Sequence, residues 1–307
     1  LEPIVERDKI KLPGVVVGVI DVGFYDHEDL SFLHPTSGMA IDDHGNHVAG
    51  ILCAKHNGLG VRGVLPDCLV VARSGDFLPI ASEGVDDDQF MLVFSQILMA
   101  MDKFVTERDE VAVFNASLGY NWKDDFDLNP SDSQNGNLRA AVQNQGVFLF
   151  PVLTEAAKRG VLIFSAAGND SSVNEQHHAE WASPFNWASK AACESVGVCS
   201  GVVIEAHDKY GQRAEFSNVS GDLSCPGVDI VSLVATDANK NPSQSNYGRM
   251  SGTSMASPYC AGGFVLFSLL RSNYDASAAL QCLKASASLS STGAPRLNLL
   301  AALEQCN

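Results

Sequence analysis

The apolar positions fall into two rhythms. Residues 15–20, VVVGVI, form a continuous β-prone run that ends at Asp21, with Gly23 just beyond. Such a run predicts a strand buried on both faces, with a carboxylate at its C-terminal end. Residues 69–72 (LVVA), 111–116 (VAVFNA), 161–169 (VLIFSAAGN), 195–199 (SVGVC) and 228–234 (VDIVSLV) predict further strands. Between them the period changes to that of a helix. Val48, Ala49, Ile51 and Leu52 share one side of residues 44–55; Phe90, Val93, Phe94, Ile97, Leu98 and Met101 do so over 89–105. LRAAVQNQ and VLTEAAKRG also read as helix, with Gly160 as a stop, and the polar stretch 120–136 reads as a loop. Strands alternating with helices predict an α/β fold: three layers, with helices on both faces of a mostly parallel β-sheet. Ligands are expected at the carboxyl ends of its strands. With no repeat, low-complexity tract or linker, residues 1–307 read as a single domain.

Length and composition agree with one large core: 307 residues, 46% of them apolar. No continuous apolar run approaches the roughly 18 residues that span a bilayer, so no membrane partner is expected. The chain opens LEPIVERDKIKLPG, without a signal peptide and with Leu in place of Met, as in a processed or trimmed chain. The net charge of −16 excludes nucleic acid as a partner, because phosphate binding needs a basic surface. Eight cysteines include no CxxC pair, which argues against a zinc cluster. With ESVGV read as a strand, Cys193 and Cys199 would lie about 20 Å apart, too far for a disulfide.

SGTSMASPYCAGG, residues 251–263, poses the chemical question. Thr253 or Ser254 suits the cap of a helix starting at Met255, with Pro258 in its first turn. A nucleophile needs in addition a base, a group that orients the base and donors for an oxyanion. Asp21 ends the first strand, His44 opens a helix in DDHGNHVAG, and Ser254 opens a late helix. Each is weak alone; together they lie where this fold places chemistry.

IDVGFYDHEDL, DDHGNHVAGI, FNASLG, SAAGN and SGTSMASP resemble, in order, the signature segments of the subtilisin-like serine proteases, the subtilase family, from about residue 14 to about 270. The Asp–His–Ser order is the one subtilisin uses. The resemblance implies a serine endopeptidase with Ser254 as nucleophile, His44 as general base and acid, Asp21 orienting His44, and Asn169 in the oxyanion hole. His47 is structural on this reading. Ser117, Leu118 and Gly119 match the strand that pairs with substrate backbone, and Ala166, Ala167 and Gly168 the facing wall of S1, the pocket for the residue before the cut. A polypeptide held between two such edges is a β-augmentation.

The resemblance also implies a structural calcium ion. Asp29 would give a carboxylate, Asn57 a side-chain oxygen, and Lys55, Leu59 and Val61 backbone carbonyls, with Glu2 or Glu6 as a further ligand. The alternative is a glycine-rich turn without an ion. Asp124, Asp125 and Asp127, with EGVDDD at 83–88, suggest a preference for basic residues near the cut; the alternative is two solvated loops. The Asp21–His44 spacing is short for the family, Asn46 replaces the usual Thr, and the segment Ser171–Ala192 leaves the S1 floor unplaced. Cys53, Cys225 and Cys260 fall at small core positions and read as buried free thiols; Cys282 with Cys306 is the favoured disulfide. A secreted zymogen is expected, acting as a monomer and meeting a pro-segment or protein inhibitor, with a cytoplasmic enzyme as the alternative. No appended β-sandwich or pro-segment is expected within the chain. Two rivals share the site: a pseudoprotease that only holds peptides, and an enzyme that passes the acyl group to an amine, with 120–136 as its water-excluding insertion.

Overall fold

The computed structural model describes residues 14–74, 111–235 and 245–306, apart from Gly38, Ala40 and Ser291. The expected helix at 89–105, the acidic run 83–88, Glu2 and Glu6 lie outside the described residues. Strand β1 is Val16–Asp21, followed by helix α1 (Asp43–Cys53) and β2 (Leu69–Ser74). Then come β3 (Val111–Ala116), α2 (Trp122–Phe126), α3 (Gly136–Gly146), α4 (Phe150–Lys158) and β4 (Leu162–Ala166). Helix α5 (Pro184–Val196), β5 (Gly201–His207), β6 (Leu223–Pro226), β7 (Ile230–Ala235) and β8 (Ser245–Met250) follow. Helices α6 (Thr253–Leu270), α7 (Ala276–Ala285) and α8 (Leu299–Gln305) end the chain.

Six strands form one parallel sheet in the order β2-β1-β3-β4-β5-β6. β1 is buried throughout, and its period of two sorts it between two cores. Val17 and Val19 join the cluster with α1 and α6; Val16 and Ile20 join the one with α4 and α5. That is the expected three-layer α/β fold. α6 is apolar and 18 residues long, enough to cross a membrane by length and composition, but 78% of it is buried inside the protein, as a core helix is.

The sheet order reverses beside β1. β2 pairs on one side and β3 on the other, which opens a crevice at the carboxyl ends of β1 and β3. Register pairs Ile20 with Ala116, and Ala116 with Ser165. Asp21, Ser117 and Ala166 therefore follow in one row along that edge.

Some expectations are corrected. Residues 195–199 are not a strand: α5 runs to Val196 and ends at Gly197, whose φ of 71° is open to glycine. That left-handed turn brings the Cα atoms of Cys193 and Cys199 to 4.4 Å, and they form a disulfide. Cys53, Cys225 and Cys260 are not free thiols; they pair as Cys53–Cys68 and Cys225–Cys260. Small core positions on neighbouring elements face each other, and two cysteines there meet. Cys282–Cys306 pairs as expected, leaving no free cysteine. β7 pairs antiparallel with β8, outside the parallel sheet. The stretch 120–136 holds α2 and a 3-10 turn at Ser133–Asn135.

Candidate active site

Asp21 is fully buried, and its Oδ1 receives His44 Nδ1 at 2.6 Å and Val22 N–H at 2.8 Å. Among the described residues its buried Oδ2 has no hydrogen-bond partner. α1 brings His44 there because its cap and its glycine allow it. Asp42 Oδ1 accepts the His44 N–H at 2.8 Å as the N-cap. A Cβ on Gly45 would run into Gly23 O and lie 3.2 Å from Asp21 Cβ, so only glycine lets the helix come this close. Burial disfavours the imidazolium, but Asp21's charge and hydrogen bond, with Asp42's charge, outweigh it and hold His44 above the ordinary histidine value. The His44 side chain is 31% exposed, open to the cleft.

Ser254 is the second residue of α6 and not its cap; Gly252 holds that position. In the first turn the Ser254 N–H has no intrahelical acceptor. Asn169 Oδ1 accepts both the N–H (2.9 Å) and the hydroxyl (3.0 Å) of Thr253, which leaves Nδ2 as the donating end of that exposed side chain. Asn169 is thereby tied to the residue just before the 8% exposed Ser254. The Ser254 hydroxyl is turned to Ser117 O at 3.5 Å, and no hydrogen bond joins it to His44 among the described residues. Catalytic hydrogen bonds often tighten only once substrate binds.

The two segments expected to hold substrate, Ser117–Gly119 and Ala166–Gly168, are tied in as follows. Ser117 Oγ donates to Ser254 O (2.9 Å) and accepts from Asn115 Nδ2 (2.9 Å); Asn115 Oδ1 in turn accepts from Ser257 Oγ (2.6 Å). This buried chain pins β3 to α6. On the facing edge Gly168, φ 96°, gives its N–H to Thr253 Oγ1 (3.1 Å), and Asn186 Nδ2 donates to Ala166 O (2.9 Å). Ala167 N–H is taken by Ile204 O. Leu118 packs on the α4–α5 core. Ala182 closes the slot between the edges: a Cβ on Gly119 would lie 3.0 Å from its carbonyl, and one on Gly168 would lie 2.8 Å from its Cβ.

Asn46, Asn115, Asn186, Ser257 and Ala182 were not among the expected site residues. The signal of the four polar ones was weak, polar residues beside apolar ones, and Ala182 carried none. Asn46 is more than a small polar replacement. It accepts Tyr25 N–H (3.1 Å) and donates to Tyr25 O (2.9 Å), which fixes the loop after Asp21. His47 Nε2 lies 3.0 Å from Ile230 O and 3.3 Å from Gly248 O, a brace on the β7–β8 hairpin, and burial pushes it down to about 4.

Of the calcium candidates, Asp29, Asn57 and Lys55 are together. Asn57 Nδ2 donates to Asp29 Oδ1 (2.7 Å), Tyr247 donates to Asp29 Oδ2 (3.3 Å), and Lys55 N–H binds Asp29 O. Asn57 Oδ1 accepts Leu59 N–H at 2.9 Å, and Val61 is half-buried against the core. Asp29 is fully buried, yet among the described residues both donors on its carboxylate are neutral. An uncompensated buried carboxylate beside a carbonyl-rich turn fits a hard cation, once the Asn57 amide turns its oxygen inward. Of the acidic loop, Asp124 and Asp125 are exposed, while Asp127 pairs with Lys123 at 2.5 Å.

The comparisons with known proteins agree with this architecture. The subtilase family model matches residues 13–298, and the chain belongs to that family of serine proteases. It is 30% identical over 279 residues to the minor extracellular protease Epr of Bacillus subtilis (strain 168), covering 87% of this chain and 34% of that protein. It is 28% identical to subtilisin DY of Bacillus licheniformis, covering 86% and 82%. It spans about a third of the first relative's length and most of the second's. Among solved structures, the prenylagaramide maturation protease PagA superposes with a TM-score of 0.63 at 22% identity, covering 96% of this chain and 95% of that one. A protease from Pseudoalteromonas arctica PAMC 21717 gives a TM-score of 0.62 at 21% identity, covering 96% and 90%. At these identities the likeness is one of fold.

Proposed function

We propose that this chain is a serine endopeptidase that hydrolyses peptide bonds through an acyl-enzyme on Ser254. The observation that carries the reading is the 2.6 Å hydrogen bond that His44 Nδ1 donates to the fully buried Asp21. It leaves Nε2 as the base. His44 takes the Ser254 proton as Oγ bonds to the substrate carbonyl carbon. The carbonyl oxygen, now an anion, is held by Asn169 Nδ2 and the Ser254 N–H at the positive end of α6. Asp21 stabilises the imidazolium. His44 then gives the proton to the leaving amine as the C–N bond breaks. Water, deprotonated by the same histidine, releases the acid.

The substrate would lie extended between Ser117–Gly119 and Ala166–Gly168. Exposed Asp124 and Asp125 and a net charge of −16 favour basic residues near the cut. A calcium ion would be held by Asp29, Asn57 and the carbonyls of Lys55, Leu59 and Val61, and would supply the charge that Asp29 lacks. Adding calcium is expected to raise the melting temperature, and EDTA to reverse it. Four disulfides and no free thiol suit an oxidising compartment, hence export, and a pro-segment or protein inhibitor would cover the cleft until then. The deciding experiment is mass spectrometry after a serine-directed fluorophosphonate. Wild type is expected to gain one adduct and Ser254→Ala none. An unlabelled, folded wild type would refute the reading.

A further inference from the structure

The chain leaving the substrate edge does not turn away from the cleft. Tyr120, next after Gly119, gives its N–H to Ala182 O at 2.7 Å. Its hydroxyl donates to the buried Gln145 Oε1 at 2.9 Å. Trp122, 4% exposed, donates its indole N–H to Trp181 O at 2.7 Å. Its ring is flanked by Tyr120 (4.9 Å between centroids) and Phe126 (5.8 Å). Lys123 N–H then binds Oδ1 of Asp170, the residue after Asn169, at 2.9 Å. Within four residues the chain grips the peptide of Ala182 twice, at its own carbonyl and at that of Trp181, and reaches the segment that carries the oxyanion donor. Ala182 is the group wedged between Gly119 and Gly168.

From this geometry we infer that Trp122 is a positioning residue that sets the width of the S1 slot. Its indole N–H holds the Trp181–Ala182 peptide inward, so that the Ala182 methyl limits the side chain accepted just before the cut. The inference rests on the proposed protease reading, with the substrate between the two edges. A buried N–H···O bond is worth about 0.5–1.5 kcal/mol net. Releasing it frees the Ala182 wall to move outward and favours bulky side chains over small ones.

The test is Trp122→Phe, which keeps an aromatic ring but removes the N–H together with the rest of the five-membered half of the indole. Two peptides are compared, alike except for Phe or Ala before the cut. The ratio of their kcat/KM values, Phe over Ala, is expected to rise about 3- to 10-fold. The rate of fluorophosphonate labelling should stay within about twofold of wild type, since Ser254, His44 and Asp21 are untouched. A merely structural role would lower the melting temperature and scale both peptides equally; an unchanged ratio in folded, labelled protein would overturn the inference. Should Trp122→Phe fail to fold, Ala182→Gly removes the methyl that Trp122 is inferred to hold in place, with the same expected rise in the ratio and the same refuting result. Failure of wild type to label belongs to the protease reading and is read separately from the ratio.

Discussion

The four disulfides should not stabilise the protein equally, and their order can be worked out from where they lie. A cross-link removes loop-closure entropy from the unfolded chain, growing as 1.5R ln n with loop length. The separations are 35 for Cys225–Cys260, 24 for Cys282–Cys306, 15 for Cys53–Cys68 and 6 for Cys193–Cys199. They correspond to about 3.8, 3.4, 3.0 and 2.2 kcal/mol at 25 °C. Burial widens the gap. Cys225 and Cys260 are 2% and 1% exposed, so alanine there also leaves a cavity, whereas Cys199 faces solvent. Each pair is replaced by alanines and the protein is blocked with a fluorophosphonate, so that unfolded chains are not digested. Guanidinium unfolding then gives the loss of stability. Cys225→Ala/Cys260→Ala should lose at least about 1.6 kcal/mol more than Cys193→Ala/Cys199→Ala. Equal losses, or the reverse order, would refute the argument.

Three further perturbations test the site. Asp42→Asn keeps the N-cap but removes a charge that raises His44, so the acid limb of kcat/KM should move to lower pH; a pH–rate profile that stays put contradicts this. Asn46→Ala strands the N–H and C=O of Tyr25, at about 1–3 kcal/mol each, and should cost roughly 2–6 kcal/mol in denaturant unfolding, with a fall in kcat as the loop after Asp21 loosens. Asn46→Thr, which can restore one bond, should cost less. His47 is held neutral down to about 4, while the unfolded chain takes up its proton near 6.5. Its contribution is therefore complete above pH 6.5 and lost as the pH falls toward 4, on the order of 3 kcal/mol. His47→Gln should flatten that part of the stability curve, and an equally steep curve would rule His47 out as its source.

The parts of the molecule legible in the sequence are those governed by local pattern. β1 reads as a buried strand because every residue in it is apolar up to Asp21, and α1 reads as a helix because its apolar face repeats. Asp21, His44 and Asn169 sit at ends of such elements, where a short segment fixes both the fold and the side chain. What was not legible depends on partners far along the chain. The Cys193–Cys199 bridge was hidden by one mistaken strand: once Gly197 ends a helix there, six residues double back instead of extending. Cys225 and Cys260 look like two small core residues until β6 is laid against α6. Asn46 passes for a conservative change because its two bonds go to the backbone of Tyr25, which no local pattern marks. The loop at 120–136 is the sharpest case. Its composition is polar and acidic, which points to solvent, yet Tyr120 and Trp122 turn inward. Ala182 receives one of them, and neither its identity nor its spacing carries a signal. Composition describes what a segment shows to water. Its grip on the Trp181–Ala182 segment is set by two aromatic residues and two backbone carbonyls about 60 positions away, and only the folded chain brings these together.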